Sequence, residues 1–306
     1  MPIRVYFWFR VLLLGAFFSV IRAALVEAAG PYQFRYQAAR VGDDLIQHQE
    51  MRMQLQTSLF QLGTKISSSS QQMSVSQVKR LQLLEVSASP LRVGTLDGRG
   101  TRRVTQANVT FVKSERSISV DDPNVAKVKD PVHGKSYRAT RVGEKLSITD
   151  MEGKIPPENE LKIVEQSLAG FGRPNPLALY LRNRQVAIGQ RLQLPKQLAS
   201  ELFAVQEQFG EIASFELVLT GEKQAGTQRC VVFETQATML SPKNNASSAH
   251  LTGQIWVDPD TCRSVYVNVQ GPVSIEQQHG PKDLPYQLLG QGNFSIAVRA
   301  EHRPLR

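Results

Sequence analysis

Polar and apolar side chains take turns along most of this chain. Met51, Met53, Leu55, Thr57 and Leu59 alternate with Arg52, Gln54, Gln56 and Ser58. The same two-residue period runs through Asn108–Lys113, Ser117–Val120, Phe215–Leu219, Val231–Met239, Ile255–Val257, Val265–Val269 and Phe294–Val298. Residues 32–38 alternate aromatic and polar side chains. Successive strand residues point to opposite faces, so this pattern predicts strands with one buried and one wet face. Sheets of that kind are usually antiparallel. Asp97-Gly98 and Glu152-Gly153 supply tight turns, and Asp258-Pro-Asp-Thr261 predicts a turn between two strands. Ser67–Ser70 reads as a polar hairpin tip.

The period changes in the middle of the chain. Glu158–Ala169 puts Leu161, Val164 and Leu168 on one helical face, with acids in the first turn and Gly170 beyond the end. Asn175-Pro176 is a cap followed by a proline at the first helical position, which predicts a short helix over Leu177–Arg182. Pro195–Val205, with Leu198, Leu202 and Val205, predicts a third. Apolar helix faces need a sheet to bury them. The expected fold is therefore mainly β: an antiparallel curved sheet or half-barrel with a helical segment, about 156–205, packed on it. A β region over 29–155 precedes that segment and another over 206–306 follows it. One domain holding all three is preferred to two domains with a helical linker.

Residues 1–28 read differently. Arg4 and Arg10 precede an apolar run from Val11 to Ile21, and small residues follow. This is the charged, apolar, small order of a secretory signal peptide. Val26 and Ala28 suit the cleavage site, so the cut is expected after Ala28, with a cut after Gly30 as the alternative. The apolar run is shorter than the ~20 residues a bilayer span needs, and Arg22 interrupts its far end, which argues against an uncleaved anchor. No later stretch approaches that length.

The charge is +9, two units of which belong to the leader. The later basic residues are scattered, as at Lys79-Arg80, Arg102-Arg103, Arg182 and Arg184. None is interleaved with the aromatics that a single-strand binder needs for base stacking. A solvated basic surface, or contact with an anionic envelope, fits better than nucleic acid.

Candidate chemistry is sparse. The sequence has no Gly-x-Ser-x-Gly, no His-Glu-x-x-His, no phosphate-binding glycine loop and no Cys-x-x-Cys. His48, His133, His250, His279 and His302 are far apart and read as surface or loop residues rather than metal ligands. Asp121-Asp122 and Asp258/Asp260 adjoin prolines and read as turn formers rather than calcium ligands. Asn108, Asn245 and Asn293 begin glycosylation sequons, which matter only in a eukaryotic secretory pathway. Trp256 lies in a predicted strand, where core packing is the simpler reading. Cys230 and Cys262 are the only cysteines, and export favours a bond between them. If Ser241–Ala249 joins its flanking strands antiparallel, Cys230 falls opposite about position 261, beside Cys262. A structural disulfide is expected, with two free buried thiols as the alternative.

The order of these pieces resembles a family. Tyr32-x-Phe34-x-Tyr36 precedes a Gly42-Asp43 turn, and Tyr137 to Gly143 forms a second motif. Pro176–Leu179, Val186–Pro195 and Gly253–Thr261 complete the set. Together they are similar to an uncharacterised family of exported, β-rich bacterial proteins abundant in planctomycetes. Leu192 stands where that family usually has tryptophan. The resemblance implies no known activity. It implies a curved antiparallel sheet holding helices on its concave side, as in periplasmic lipoprotein carriers.

Three functions fit these observations. The preferred one is an exported, non-catalytic protein that binds an apolar or envelope ligand within a curved sheet. The others are a structural or interaction protein of the cell envelope, and a hydrolase whose site is assembled only on folding. The preferred reading calls for no cofactor, a lipid or another envelope component as partner, no nucleic acid and no membrane span after processing. Its place is periplasmic or extracellular.

Overall fold

The computed structural model describes residues 30–89, 101–122, 126–203, 211–241, 247–279 and 286–303. The leader with its cleavage at Ala28, the Asp97-Gly98 turn, Val205 and Asn245 lie outside the described residues.

Alternation becomes strand almost wherever it occurs. In chain order the first strands are β1 (Tyr32–Gln33), β2 (Asp44–Gln61), β3 (Thr64–Ser89), β4 (Thr101–Val120), β5 (Val128–Lys129), β6 (Ser136–Val142) and β7 (Lys145–Asp150). The middle holds α1 (Glu158–Ser167), α2 (Pro176–Leu181), β8 (Gln185–Val186), β9 (Arg191–Gln193) and α3 (Lys196–Phe203). Then come β10 (Glu211–Ala225), β11 (Gln228–Leu240), β12 (Ser248–Val257), β13 (Ser264–His279) and β14 (Tyr286–Arg303).

Twelve strands form one antiparallel sheet, ordered β7-β6-β4-β3-β2-β14-β13-β12-β11-β10-β9, with β5 paired to β4; β1 and β8 form a separate pair. The seam is β2–β14, which runs unbroken from Asp44↔Arg303 to Gln61↔Tyr286. It joins the early β region to the late one. The sheet curves without closing, and β7 and β9 are left as its edges. Curvature has a local cause. A Cβ at Gly253 would stand 1.9 Å from the Asn268 carbonyl oxygen, and one at Gly292 would stand 1.8 Å from that of Gln54. Glycine at both positions lets neighbouring backbones approach as a bent sheet requires.

The chain leaves one edge at β7 and returns at the other with β9, so the intervening helices cross a face of the sheet. They bury two separate cores. Val164 of α1 and Leu168, its C-cap, with Leu161 partly buried, pack on Val109, Phe111, Tyr137 and Ile148. Leu177, Ala178 and Leu181 of α2 and Ala199 of α3 pack on Phe215, Leu217, Phe233 and Ile255. Asn175 caps α2: its Oδ1 accepts from Leu177 N at 2.9 Å and Ala178 N at 3.3 Å.

Two local expectations are corrected. Ser67–Ser70 is strand rather than hairpin tip and pairs with Gln56–Leu59. The turn is Leu62-Gly63, both at positive φ (48° and 79°), the geometry of a two-residue hairpin loop. Residues 32–38 form strand only at Tyr32–Gln33. Beyond it, Phe34 turns into the core. The backbone there bonds to the 259–261 turn, with Arg35 N donating to Pro259 O at 2.7 Å and Gln37 N to Thr261 O at 3.2 Å.

Candidate functional site

The two cores do not meet. Between them the helix-covered face of the sheet holds a cavity of about 450 Å³. Strand parity builds its floor. Val267 lies opposite Val298, Gln47 opposite Ala300 and Leu45 opposite His302, all pointing to the helix side. Val265, Val269 and Ile296 extend the aliphatic wall. Gly172–Asn175, Leu177 and Ala178 form the roof, and Tyr36 to Ala39 with Cys262 and Arg263 close the side.

Polar groups gather at one end. Arg263 Nη2 donates to Asp43 Oδ2 at 2.9 Å, across 220 positions of sequence. His302 sits beside this pair. Burial, helped by the Arg263 charge and opposed by Asp43 and Asp258, pushes its imidazole down from 6.5 to about 4. His302 is therefore neutral at neutral pH. Burial also raises the Tyr36 phenol above its ordinary 10.0. The polar end thus offers hydrogen-bonding groups and an already paired charge, not a bare one.

Beside the cavity, β2 and β3 carry a polar seam. Lys79, opposite Gln47, is buried, and its Nζ donates to Ser167 O at 2.7 Å and Ser167 Oγ at 3.0 Å. The chain of bonds continues from Ser167 Oγ to Gln77 Oε1 at 2.8 Å, and from Gln77 Nε2 to Ser114 Oγ at 3.3 Å. Ser114 Oγ then donates to Asp130 Oδ2 at 2.7 Å, and Arg116 pairs with Asp130. Burial lowers the Lys79 ammonium from 10.5 to about 8. Its placement has a reason. No basic residue lies in the last turn of α1, so the sheet supplies the cation that the helix C-terminus favours. At the other end, buried Glu160 accepts from Tyr137 Oη at 2.7 Å and Lys135 Nζ at 2.6 Å. Desolvation would raise the Glu160 carboxyl, yet these two donors hold it below its ordinary range. Charges of opposite sign at its two ends thus fasten α1 to the sheet.

The cysteines are corrected. Cys230 and Cys262 are buried free thiols, and no disulfide joins them. The β11–β12 hairpin closes at Leu240↔Ser248, tighter than expected, and Val231 pairs with Val257. That register carries Cys230 toward Asp258 instead of Cys262. Cys262 stands in the following turn at φ 57°, its N–H on Asp258 O at 2.8 Å. Burial and the Asp258 carboxylate push the thiols up, to about 11 for Cys230 and about 12 for Cys262.

Other candidate residues fall as follows. Asp121 and Asp258 are turn formers: Asp121 Oδ1 accepts from Ser70 N, and Asp258 accepts from Asp260 N and Thr261 Oγ1. Trp256 is not core. It lies on the outer face against Tyr266, with ring centroids 4.7 Å apart and Lys223 Nζ 4.9 Å over its ring. His302 is neither surface nor loop, and its inward position was readable, because Phe294, Ile296, Val298 and Ala300 precede it on one parity. No sequence signal marked Lys79 as buried. Among the described residues no group of three His, Cys, Asp or Glu side chains is arranged for a metal, and no helix is long and apolar enough to cross a membrane.

No protein-family model matches the sequence, and no curated protein does. The chain has low-scoring similarity to several solved structures. One is titled for lipid–protein interactions in lipovitellin: 8% identity, TM-score 0.39, covering 89% of this chain and 26% of that one. The chain spans about a quarter of that protein. A DUF1329 family protein from Desulfovibrio piger is similar at 10% identity and TM-score 0.14, over 83% of this chain and 84% of that one. The outer membrane protein OprG from Pseudomonas aeruginosa matches at 8% and 0.16, over 88% of this chain and all of that one. At TM-scores this low, these likenesses say nothing of what the present chain binds.

Proposed function

We propose that this is an exported protein that binds an apolar ligand, without catalysis, in the cavity on the helix-covered face of its sheet. One observation carries the reading. A cleft of about 450 Å³, partly open to solvent and walled mainly by aliphatic side chains, lies between the two cores. Its size falls in the ~300–1,000 Å³ range of small-molecule sites, which are mostly apolar with a few placed polar groups. Val265, Val267, Ile296 and Val298 supply the apolar wall. Neutral His302 and Gln47 supply hydrogen bonds. The Arg263 guanidinium is already neutralised by Asp43, so nothing in the site requires a charged ligand. An amphiphile with an apolar body and a hydrogen-bonding end, such as a lipid of the envelope, meets these terms.

The test is saturable binding of an apolar fluorescent probe, displaced by lipid extracted from the protein's own envelope. Val298→Trp, which fills the floor, should weaken the probe at least tenfold while the urea midpoint shows the fold intact. Absence of saturable binding would remove the ligand and leave a structural role in the envelope. Turnover of an ester or glycoside by the pure protein would overturn the non-catalytic reading. N-terminal sequencing of exported material should begin near Ala29 or Pro31, and an intact Met1 in the envelope fraction would overturn removal of the leader.

A further inference from the structure

The elements that form the roof and side of the cavity carry charge the cavity does not use. Residues 34–43 and 172–184 lie side by side: Phe34 N donates to Arg184 O at 2.9 Å and Asn183 N to Phe34 O at 3.1 Å. Both segments line the cavity, through Tyr36 and Gln37 on one and Arg173 and Asn175 on the other. Together they hold five arginines and one acid, Asp43. Arg173 is paired with Glu144, and Asp43 is taken by Arg263. Arg35, Arg40 and Arg184 are exposed and Arg182 is half-buried, and none of the four is ion-paired among the described residues. Two of them lie over tyrosines, Arg182 5.4 Å from the Tyr36 centroid and Arg184 4.2 Å from that of Tyr180. Next to Arg40, Val41 is 63% exposed. The neighbouring Asp258 carboxylate is turned inward to Gln228 and Thr261.

We propose that this arginine-rich roof docks the protein on an anionic lipid surface, with the cavity directly beneath the contact. Unpaired guanidinium groups are drawn to anionic headgroups. The exposed aliphatic side chain of Val41 suits the boundary between headgroup and acyl chain. A nucleic acid fits less well, because the Tyr36 and Tyr180 rings that would stack on bases are already covered by guanidinium groups. The proposal takes its purpose, but not its geometry, from the lipid-binding reading of the cavity.

Co-sedimentation with phosphatidylcholine vesicles, with and without 30% phosphatidylglycerol, tests it. The protein should bind only the anionic vesicles and release them in 0.5 M salt. Each arginine is worth about fivefold in membrane affinity, so replacing Arg35, Arg40, Arg182 and Arg184 by glutamine should cost several hundredfold. The variant R35Q/R40Q/R184Q leaves the Arg182 contact in place and should still lose about a hundredfold. A control, K65Q/K127Q/K129Q/K145Q, loses the same charge from exposed sites on other strands and turns and should bind vesicles within tenfold of the parent. Equal loss in the control, equal binding to neutral vesicles, or tighter binding to duplex DNA than to anionic vesicles would each overturn the proposal. Probe affinity measured without vesicles reports on the cavity alone, so either idea can fail while the other stands.

Discussion

Replacing Lys79 by methionine removes a buried cation while keeping an unbranched side chain. Lys79 is 6% exposed and faces no carboxylate among the described residues; its ammonium rests on the carbonyl and hydroxyl of Ser167 at the end of α1. Burial brings its pKa from 10.5 to about 8. The unfolded chain therefore binds more protons than the folded one between these values, and stability rises with pH across that window. At about 1.4 kcal/mol per unit, the charged lysine costs the fold roughly 3 kcal/mol at pH 7. About 1 kcal/mol of that is recovered by pH 9 and about 2.5 by pH 10. Cys230 and Cys262 act in the opposite sense. Their thiols are raised on folding, so stability falls as pH climbs through their ordinary value of 9.0. The two effects overlap, and a wild-type profile alone cannot separate them. The difference between wild type and Lys79→Met can, because both proteins keep the thiols. Urea unfolding of each at pH 7, 8 and 9 measures it. At pH 7 the variant escapes the desolvation cost but leaves Ser167 O and Oγ without their donor, at about 1–3 kcal/mol each. The two stabilities should therefore be close at pH 7, with wild type gaining about 1 kcal/mol on the variant by pH 9. A difference that stays flat with pH would show that Lys79 is not held in a low-dielectric site, and the account of how α1 is fastened would fall with it.

Three further outcomes rest on the same geometry. The folded state resists protonating His302, whose pKa drops from 6.5 to about 4, so stability should fall by about 2 kcal/mol between pH 7 and 5, and His302→Gln should flatten that slope. Glu160 loses its contribution only as pH falls below the ordinary carboxylate value of 4.5, so the two acid phases are separable in a melting-temperature profile. Gly292→Ala would set a Cβ 1.8 Å from the Gln54 carbonyl at the β2–β14 seam, and should cost on the order of 3 kcal/mol by urea unfolding; a neutral result would show that the bend does not depend on that close approach.

The sequence alone determined the buried face of the long alternating strands, though not the outward place of Trp256, and where the helices begin. Period-two alternation needs only the pleat, so Met51–Leu59, Val231–Met239 and Phe294–Val298 were readable as strands without knowledge of their partners. Caps are equally local, which is why Asn175-Pro176 marked α2 to within a residue. Pairing is not local. The seam of β2 with β14 joins residues from opposite ends of the described chain, and no pattern within either strand names the other. A hairpin closing at Leu240↔Ser248 changed the partner of Cys230, because register depends on a loop's closure geometry rather than on the side chains of its strands. Lys79 looked like half of an exposed basic pair and became a buried helix anchor only because α1 ends above it. The cavity was least visible of all. It exists because two helix-covered cores form on one curved sheet without meeting, and a gap between packed groups leaves no residue of its own in the sequence.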